Sequence, residues 1–464
     1  MCSPLHSNGL SPEKLYVRDT IAAIATGRGA AGVGIVRVSG GNVSQIAAEL
    51  LNKTLSPNLA TYTNFYSQAQ EIIDSGVAIY FKAPNSFTGE DILELQGHGG
   101  FAVLNRVLQR VTATNLARIA EPGEFTKRAY LNNKMDLLQA EAVLDLIHAG
   151  SEQAAAAAIK SLSGDFSQII HSLQQELIAL RVFVEAALDF PEEEIDFLSS
   201  HKVLARVDEL RNNMQKILLR VNQGVLLAEG VDTVILGAPN VGKSSLLNCL
   251  TKEDTSIVTE IPGTTRDLIK TQINLNGIML KLVDTAGIRE SEDLIEQEGI
   301  SRAKSMAEIA ELIIYVVDTP LSLACVSKIN QHRQDDNIII VVINKIDQLA
   351  LSPAIEVNES LNLSMVYISA KHKLGIDLLE QVIIGSLTKL SQESVFSART
   401  RHVAALKRSL EHLELAKYQL SEMQAMELLA EELTRAQHSL NQLTGEFSAD
   451  DLLGKIFSEF CIGK

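Results

Sequence analysis

The run Gly-Ala-Pro-Asn-Val-Gly-Lys-Ser at Gly237–Ser244 has the spacing of a loop that wraps phosphates. It follows the apolar stretch DTVIL and precedes the helical stretch SLLNCL. Backbone N–H groups and the positive end of the helix would therefore converge on an anion. Asn240, Val241 and Gly242 belong to this nucleotide loop and Ser245 follows it as a further nucleotide contact, Lys243 would neutralise β- and γ-phosphate charge, and Ser244 would hold Mg2+. Downstream, Glu260 and Pro262-Gly263-Thr264-Thr265 bring a Thr able to close over Mg2+ and the γ-phosphate. Asp284-Thr285-Ala286-Gly287 ends LKLVD with a carboxylate directed at the metal. Asn344-Lys345-Ile346-Asp347 follows IIIVVI. The Asp347 carboxylate can accept both N1–H and N2–H of guanine, whereas adenine presents an acceptor at N1, so the pattern selects GTP over ATP. Ser369-Ala370-Lys371, after VYI, is the expected last base-contacting loop.

One position is informative by its chemistry. Ile288 follows Gly287, where many small GTPases place a Gln that orients the attacking water. An Ile cannot do this, so water must be held by another group. Arg289 and Glu296 are the nearby polar candidates, each of which could equally be a solvated side chain.

These residues need a scaffold, and the pattern around them supplies one. Strand and helix signals alternate from Val231 to about Leu387, with short apolar strands ahead of each motif, as a doubly wound, mainly parallel sheet requires. Before it, from about Asp136 to Asn222, and after it, from Ala398, apolar residues recur at three- and four-residue spacing, which predicts helices. The economical arrangement is an α/β module inserted into a helical domain. The acidic run Glu192–Glu194 after Pro191 is expected to start a helix rather than to bind metal. From Thr20, TIAAIAT, VGIVRVSG, GVAIYF and DILELQ read as strands, with helices at Asn42–Leu51 and Gly100–Thr112. The expected division is a loose leader at 1–18, an N-terminal α/β domain at 19–135, a helical first half at 136–224, the nucleotide module at 225–388 and a helical second half at 389–464.

A chain of 464 residues with 46% hydrophobic and 21% charged residues can bury several cores. Cys2, Cys249, Cys325 and Cys461 show no metal-ligand spacing, and reduced thiols in a cytoplasmic setting are expected. Apolar runs such as Leu312–Val317 and Ile338–Ile343 are strand-length, so no membrane span is predicted. Met1–Leu10 lacks the basic start and apolar core of a secretory signal. A net charge of −16 argues against indiscriminate nucleic-acid binding. The segment Phe101–Met135 nevertheless holds Arg106, Arg110, Arg118, Lys127, Arg128 and Lys134 against only Glu121 and Glu124. It is either a plain solvated surface or one that faces a polyanion.

From Thr20 to Lys464 the sequence resembles the MnmE (TrmE) family of tRNA-modification GTPases. The carriers are GIVRVSG, PNSFTGEDILELQGHGG, PGEFTKRAYLNNKMDLLQAEAV, DFPEEEIDF, the nucleotide motifs, TGEFSADDLLGKIFSEFCIGK and the final Cys-Ile-Gly-Lys. The resemblance implies an N-terminal folate-binding domain that forms a homodimer, a central all-helical domain and an inserted Ras-like P-loop GTPase domain. It implies a FAD-dependent partner, MnmG, and addition of an aminomethyl-type group to C5 of the wobble uridine of certain tRNAs. The one-carbon donor would be 5,10-methylenetetrahydrofolate, for which 5-formyltetrahydrofolate is an analogue. Arg37, Glu94, Lys134 and Lys464 match the folate contacts. Asn240, Thr259, Ile261 and Thr264 match the shell of a K+ ion, and Ser244 and Thr265 the Mg2+ ligands. Glu296 matches a water-positioning residue, and Arg289 a switch residue. Cys461 would be either a small packed hydrophobe or a catalytic thiol facing folate or uridine. The sequence departs from the family in a longer leader and in Ala25–Gly29, which lacks a Pro pair often found there.

Two other readings are open to a sequence of this kind. A regulatory GTPase that binds ribosomes or membranes would need neither the folate-type N-terminal motifs nor the Cys461 tail. A pure folate-dependent aminomethyltransferase would not need the GTPase motifs.

Overall fold

The computed structural model describes residues 19–27, 29–189, 200–251, 271–282, 310–320, 323–333, 337–359, 361, 363–387, 396–445, 454, 456–458, 460, 461 and 463. The leader at 1–18 and the acidic run Glu192–Glu194 lie outside them. The chain divides into two compact units, one made of Met1–Ala140 with Ser448–Lys464 and one of Glu141–Phe447.

Alternation along GIVRVS writes the first sheet: Val36 and Val38 are buried on one face, and Arg37 between them turns to the other. Strands β1 (Thr20–Ile24), β2 (Gly34–Ser39), β3 (Thr61–Tyr66), β4 (Ile72–Phe81), β5 (Ile92–Gly97) and β6 (Ala117–Ile119) lie in the order β3-β4-β5-β2-β1-β6. Helices α1 (Val43–Leu51) and α2 (Phe101–Thr112) cover one face with Ile46, Leu50, Leu104 and Val107 against Val36, Val38, Leu93 and Leu95. Each begins one residue after the sequence-predicted start, since Asn42 and Gly100 are the N-cap residues that precede Val43 and Phe101. On the other face Ile21, Ala23, Ala120 and Phe125 pack with Phe87, and helix α3 (Glu124–Leu131) begins there. Two strands escaped the sequence reading. β6 is three residues long, and β3 is an edge strand whose TYTNFY pattern is mostly polar or half-exposed.

The second unit carries helices α4 (Leu137–His148, from Glu141 onward), α5 (Glu152–Leu162), α6 (Asp165–Asp189) and α7 (Ser200–Ala228). A seven-stranded sheet follows: β7 (Val231–Gly237), β8 (Thr271–Leu275), β9 (Ile278–Leu282), β10 (Leu312–Val317), β11 (Ile338–Ile343), β12 (Ala354–Asn358) and β13 (Leu363–Tyr367), in the order β12-β13-β11-β10-β7-β9-β8. The five central strands run parallel, and β8 and β12 are antiparallel edges. β10 is buried along its whole length, which is why it is apolar at every position: Ile314 and Val316 enter one core and Ile313, Tyr315 and Val317 the other. Helices α8 (Lys243–Leu250), α9 (Leu323–Asn330), α10 (Ile346–Leu349) and α11 (Ile376–Leu387) belong to this sheet, and α12 (Thr400–Ser421) and α13 (Met426–Thr444) return to helix.

Helix α12 packs along α7 and α13, and α13 along α6, through apolar rows such as Val203, Val207 and Leu210 on α7 and Leu406, Leu410 and Leu413 on α12. The start of α12 is anchored by carboxylates. Glu229 accepts from the Thr400 N–H at 3.0 Å and from its hydroxyl at 2.6 Å, and Arg399 pairs with Asp145 at 2.8 Å. Glu141, 1% exposed, binds Arg401 Nε at 2.6 Å and His402 Nε2 at 2.8 Å. The turn between β8 and β9 touches the start of α5: Asn274 donates to the Gly150 carbonyl at 3.2 Å, and Ser151 to the Gly277 carbonyl at 2.8 Å.

The last residues of the chain group with the first unit rather than with the helices expected of 389–464. Phe457 lies tilted against Tyr130 and Phe460, with ring centroids 6.4 and 5.7 Å apart. The Gly123 N–H donates to the Cys461 carbonyl, and a Cβ at Gly463, where φ is +106°, would lie 2.2 Å from the Ile24 carbonyl oxygen. Only glycine passes that closely.

Candidate nucleotide-binding site

Parallel strands deliver their loops to one edge of the sheet, and four such loops meet at this edge. β7 ends at Gly237 and opens into Ala238–Gly242, from which α8 starts at Lys243. Two residues of the loop are left-handed, Asn240 at φ +62° and Gly242 at φ +99°. Gly242 is forced: a Cβ there would lie 2.2 Å from the Asn344 amide nitrogen. The exposed Ser244 and Ser245 occupy the first turn of α8, whose free N–H groups favour an anion. Lys243 folds over the loop and donates to the carbonyls of Gly237 and Ala238, each at 2.9 Å. Burial pushes its ammonium below the usual lysine range, so a phosphate beside it would be a welcome counter-charge.

The base-side loop is tied to the phosphate loop residue against residue. Asn344, 3% exposed, donates from Nδ2 to the Val241 carbonyl at 2.8 Å and accepts from the Ala370 N–H at 2.9 Å. Lys345, left-handed at φ +60°, donates to the neighbouring Asn240 carbonyl at 2.6 Å and pairs with Asp318 at 3.0 Å. Consecutive carbonyls at 240 and 241 are thus held by consecutive residues of the Asn-Lys-Ile-Asp motif. The buried Ser369 donates its hydroxyl to Asp347 Oδ1 at 2.6 Å, while His372 Nε2 lies 3.7 Å from Oδ2. The Ser369 hydroxyl first, with His372 and Lys371 adding to it, holds the Asp347 carboxyl below the usual carboxylate range. The Ser369 bond thus orients the Asp347 carboxylate to accept paired N–H groups. Cys249 on α8 closes the circuit by donating from Sγ to the Ala370 carbonyl at 3.1 Å.

Asn240 to Ser245, Asn344, Lys345, Asp347, Ser369, Ala370 and Lys371 thus stand on converging loops. Thr259, Glu260, Ile261, Pro262, Gly263, Thr264, Thr265, Asp284, Thr285, Ala286, Gly287, Arg289, Glu296 and Lys464 lie outside the described residues. Sequence reasoning missed Asp318, Cys249 and His372. Asp318 alone had a signal, since it stands one residue past an apolar parallel strand, where functional loops begin.

In the N-terminal unit Arg37 and Glu94 are register partners on β2 and β5 and form an ion pair at 2.9 Å, with side chains only 16% and 15% exposed. Gln96 donates to the other carboxylate oxygen at 3.2 Å, and Arg37 lies over the Phe87 and Phe125 rings. Lys134 donates to the Pro84 carbonyl at 3.0 Å, and Cys461 is exposed. Three of the six cations between Phe101 and Met135 meet carboxylates within the unit. Arg128, 1% exposed, meets Asp19, Glu90 and Glu124, Arg118 meets Asp19 and Glu124, and Arg110 lies near Glu49. Burial would raise the Glu124 carboxyl, but Arg118, the Glu121 N–H and Arg128 bring it down to about 2. Among the described residues no group of His, Cys, Asp and Glu is arranged to hold a metal by itself, and no helix is long and apolar enough to cross a membrane.

A family model described as the MnmE helical domain matches residues 137–461, and one described as the GTP-binding protein TrmE N-terminus matches residues 20–134. The tRNA modification GTPase MnmE of Hydrogenovibrio crunogenus is 48% identical over 452 residues, which cover 96% of this chain and 99% of that protein. The protein of the same name from Francisella tularensis subsp. holarctica is 47% identical over 459 residues, 97% of this chain and 100% of that one. A crystal structure of the G domain of the T. maritima FeoB iron transporter aligns with 34% of this chain and 99% of its own at 23% identity, with a TM-score of 0.25, too low to speak to the fold.

Proposed function

This chain belongs to the MnmE family of tRNA modification GTPases, and on that premise we propose that its GTP hydrolysis serves the modification of wobble uridine in certain tRNAs. The chain is a GTP hydrolase. The observation that carries the guanine part is the closed set of bonds from Asn344 and Lys345 to the phosphate loop, with the Asp347 carboxylate oriented by Ser369 at the base end.

With a FAD-dependent partner, MnmG, the enzyme adds a carboxymethylaminomethyl or aminomethyl group to uridine C5, drawing its one-carbon unit from 5,10-methylenetetrahydrofolate. The Arg37–Glu94 pair supports the folate assignment. A pterin presents paired N–H donors like those of guanine, and a half-buried carboxylate already fixed by Arg37 and Gln96 suits them. Lys134 and Lys464 would serve the ring oxygen or the glutamate tail. The N-terminal domain forms the homodimer, and Cys461, exposed on the docked tail, is a candidate catalytic thiol.

Ser244 and Thr265 would hold Mg2+. Asn240, Thr259, Ile261 and Thr264 would hold K+, which supplies positive charge beside the phosphoryl group in transfer. Asn240 fits this role because its backbone carbonyl is already committed to Lys345, which fixes the residue while it stays exposed. Glu296 and Arg289 are the candidates for holding water, since Ile288 cannot.

Nucleoside analysis of tRNA from cells lacking the protein tests the proposal: the modified wobble uridines should disappear, and an unchanged nucleoside profile overturns it. The K+ assignment has its own test. Hydrolysis should be at least about tenfold faster in KCl than in NaCl at equal ionic strength, because a positioned charge on the transferring group lowers the barrier while general screening treats both salts alike. Asn240→Ala should erase the difference. Equal rates in the two salts for the unmodified protein rule the ion out.

A further inference from the structure

Asp318 follows β10 directly, and β10 lies between the two strands that carry the nucleotide loops. Val316 is in register with Gly237, where the phosphate loop opens, and Val317 with Ile343, where the base-side loop opens. The Asn344 N–H also donates to the Val317 carbonyl at 2.7 Å. The topology therefore sets the Asp318 backbone between the two loops before any side chain is considered.

We propose that Asp318 is a positioning residue of the guanine-nucleotide site: its carboxylate holds the Lys345 ammonium on the Asn240 carbonyl, and so keeps the phosphate loop and the base-side loop in their binding register. The inference rests on the nucleotide-site reading given above. Lys345 Nζ lies 3.0 Å from Asp318 Oδ2 and 2.6 Å from the Asn240 carbonyl oxygen. Both residues joined by the second bond, Asn240 and Lys345, are non-glycine residues in left-handed conformation. Such backbones persist where their surroundings hold them. An ammonium has three N–H donors, and these two acceptors fix its direction. Without Asp318 the lysine stem is free to swing into solvent, and the Asn240 peptide loses its tie to the base-side loop.

The pair is poorly placed to act as a device for stability. The Lys345 and Asp318 side chains are 30% and 38% exposed, and exposed ion pairs contribute little to folding. What the pair can change is the fraction of molecules whose two loops stand ready for nucleotide.

The test is titration of the full chain with fluorescently labelled GDP and with GTP, alongside thermal unfolding of the nucleotide-free protein. Asp318→Asn should raise the Kd for both nucleotides and the KM for GTP by roughly three- to fivefold, leave kcat at saturating GTP within about twofold and leave the melting temperature unchanged. Asp318→Glu, which can still reach the ammonium, should recover most of the affinity. Unaltered Kd in Asp318→Asn overturns the proposal. So does a loss of affinity that comes with a lower melting temperature and is not restored by Glu, since Asp318 would then be a structural residue. Failure of the unmodified chain to bind GDP would strike the nucleotide site itself, a different outcome from normal binding that ignores position 318.

Discussion

Replacing Asp347 by Asn is expected to lower GTP affinity by one to two decades. The Asp347 carboxylate is already turned by the Ser369 hydroxyl, which takes Oδ1 and holds the carboxyl below its ordinary range. Guanine offers two donors on one edge, N1–H and N2–H, and a carboxylate meets both. An amide keeps one acceptor and adds a donor, so one charge-assisted bond is lost and an N–H can face an N–H; loss of a single such bond accounts for about one to two decades. Xanthosine triphosphate carries a carbonyl where guanine carries the amino group, and should gain affinity for the variant through the new amide donor. Direct titration with both nucleotides checks this. Unchanged GTP affinity would remove Asp347 from the base pocket.

The second large effect is expected at Glu141, far in sequence from the nucleotide motifs. Its carboxylate is buried and shared by Arg401 and His402. Burial alone would raise its pKa, but attraction to His402 and Arg401 wins, and the group lies well below the usual carboxylate range. Glu141→Ala leaves a guanidinium and an imidazole without their acceptor at the start of α12. Breaking a buried pair by removing one partner costs about 3–5 kcal/mol. Arg401 retains 21% exposure, so the lower end, about 3 kcal/mol, is expected. Urea unfolding at neutral pH should show it, and a difference below about 1 kcal/mol would mean that solvent replaces the carboxylate. The pH dependence has a definite sign. A depressed carboxyl contributes stability that is full above its unfolded pKa and is lost as pH falls toward its folded one. Through the carboxyl, the gap between the two proteins should therefore narrow below pH 4.5; His402, whose pKa burial lowers and Glu141 raises, should first widen it as pH falls through the histidine range, because the variant's imidazole has lost that support.

The loops of the candidate nucleotide site were legible because their parts are local: a strand, a fixed spacing of glycines and a helix are all written within a few residues of Lys243. The same holds for Asn344 to Asp347 after β11. What joins these parts was not legible. Asp318 reads as an ordinary strand-end charge until topology sets β10 between β7 and β11, and Cys249 reads as a helix filler until Ala370 arrives from residues far downstream. Arg128 shows the same limit from the other side. Counted within its own window it adds to a cationic surface, whereas Asp19 and Glu90, remote in sequence, take it into the interior. Charge counts along a chain cannot see partners brought by folding. The starts of α1 and α2 came within a residue because their apolar period is local, and β3 was lost because an edge strand with one polar face lacks a strong period.

The docking of Phe457, Phe460 and Gly463 against Tyr130, Gly123 and Ile24 has a consequence for how the chain is made. The N-terminal unit draws on residues that leave the ribosome early and on others that leave only after everything from 141 to 447 has emerged. Synthesis runs at about 5–20 residues per second, and domains made of contiguous chain can close as they appear. This unit cannot. Its sheet and first helices can form early, but the site of the tail on α3 and β1 stays bare until the remainder of the protein has been translated. An apolar surface exposed for that long is a surface on which a nascent chain is open to chaperones and to wrong partners.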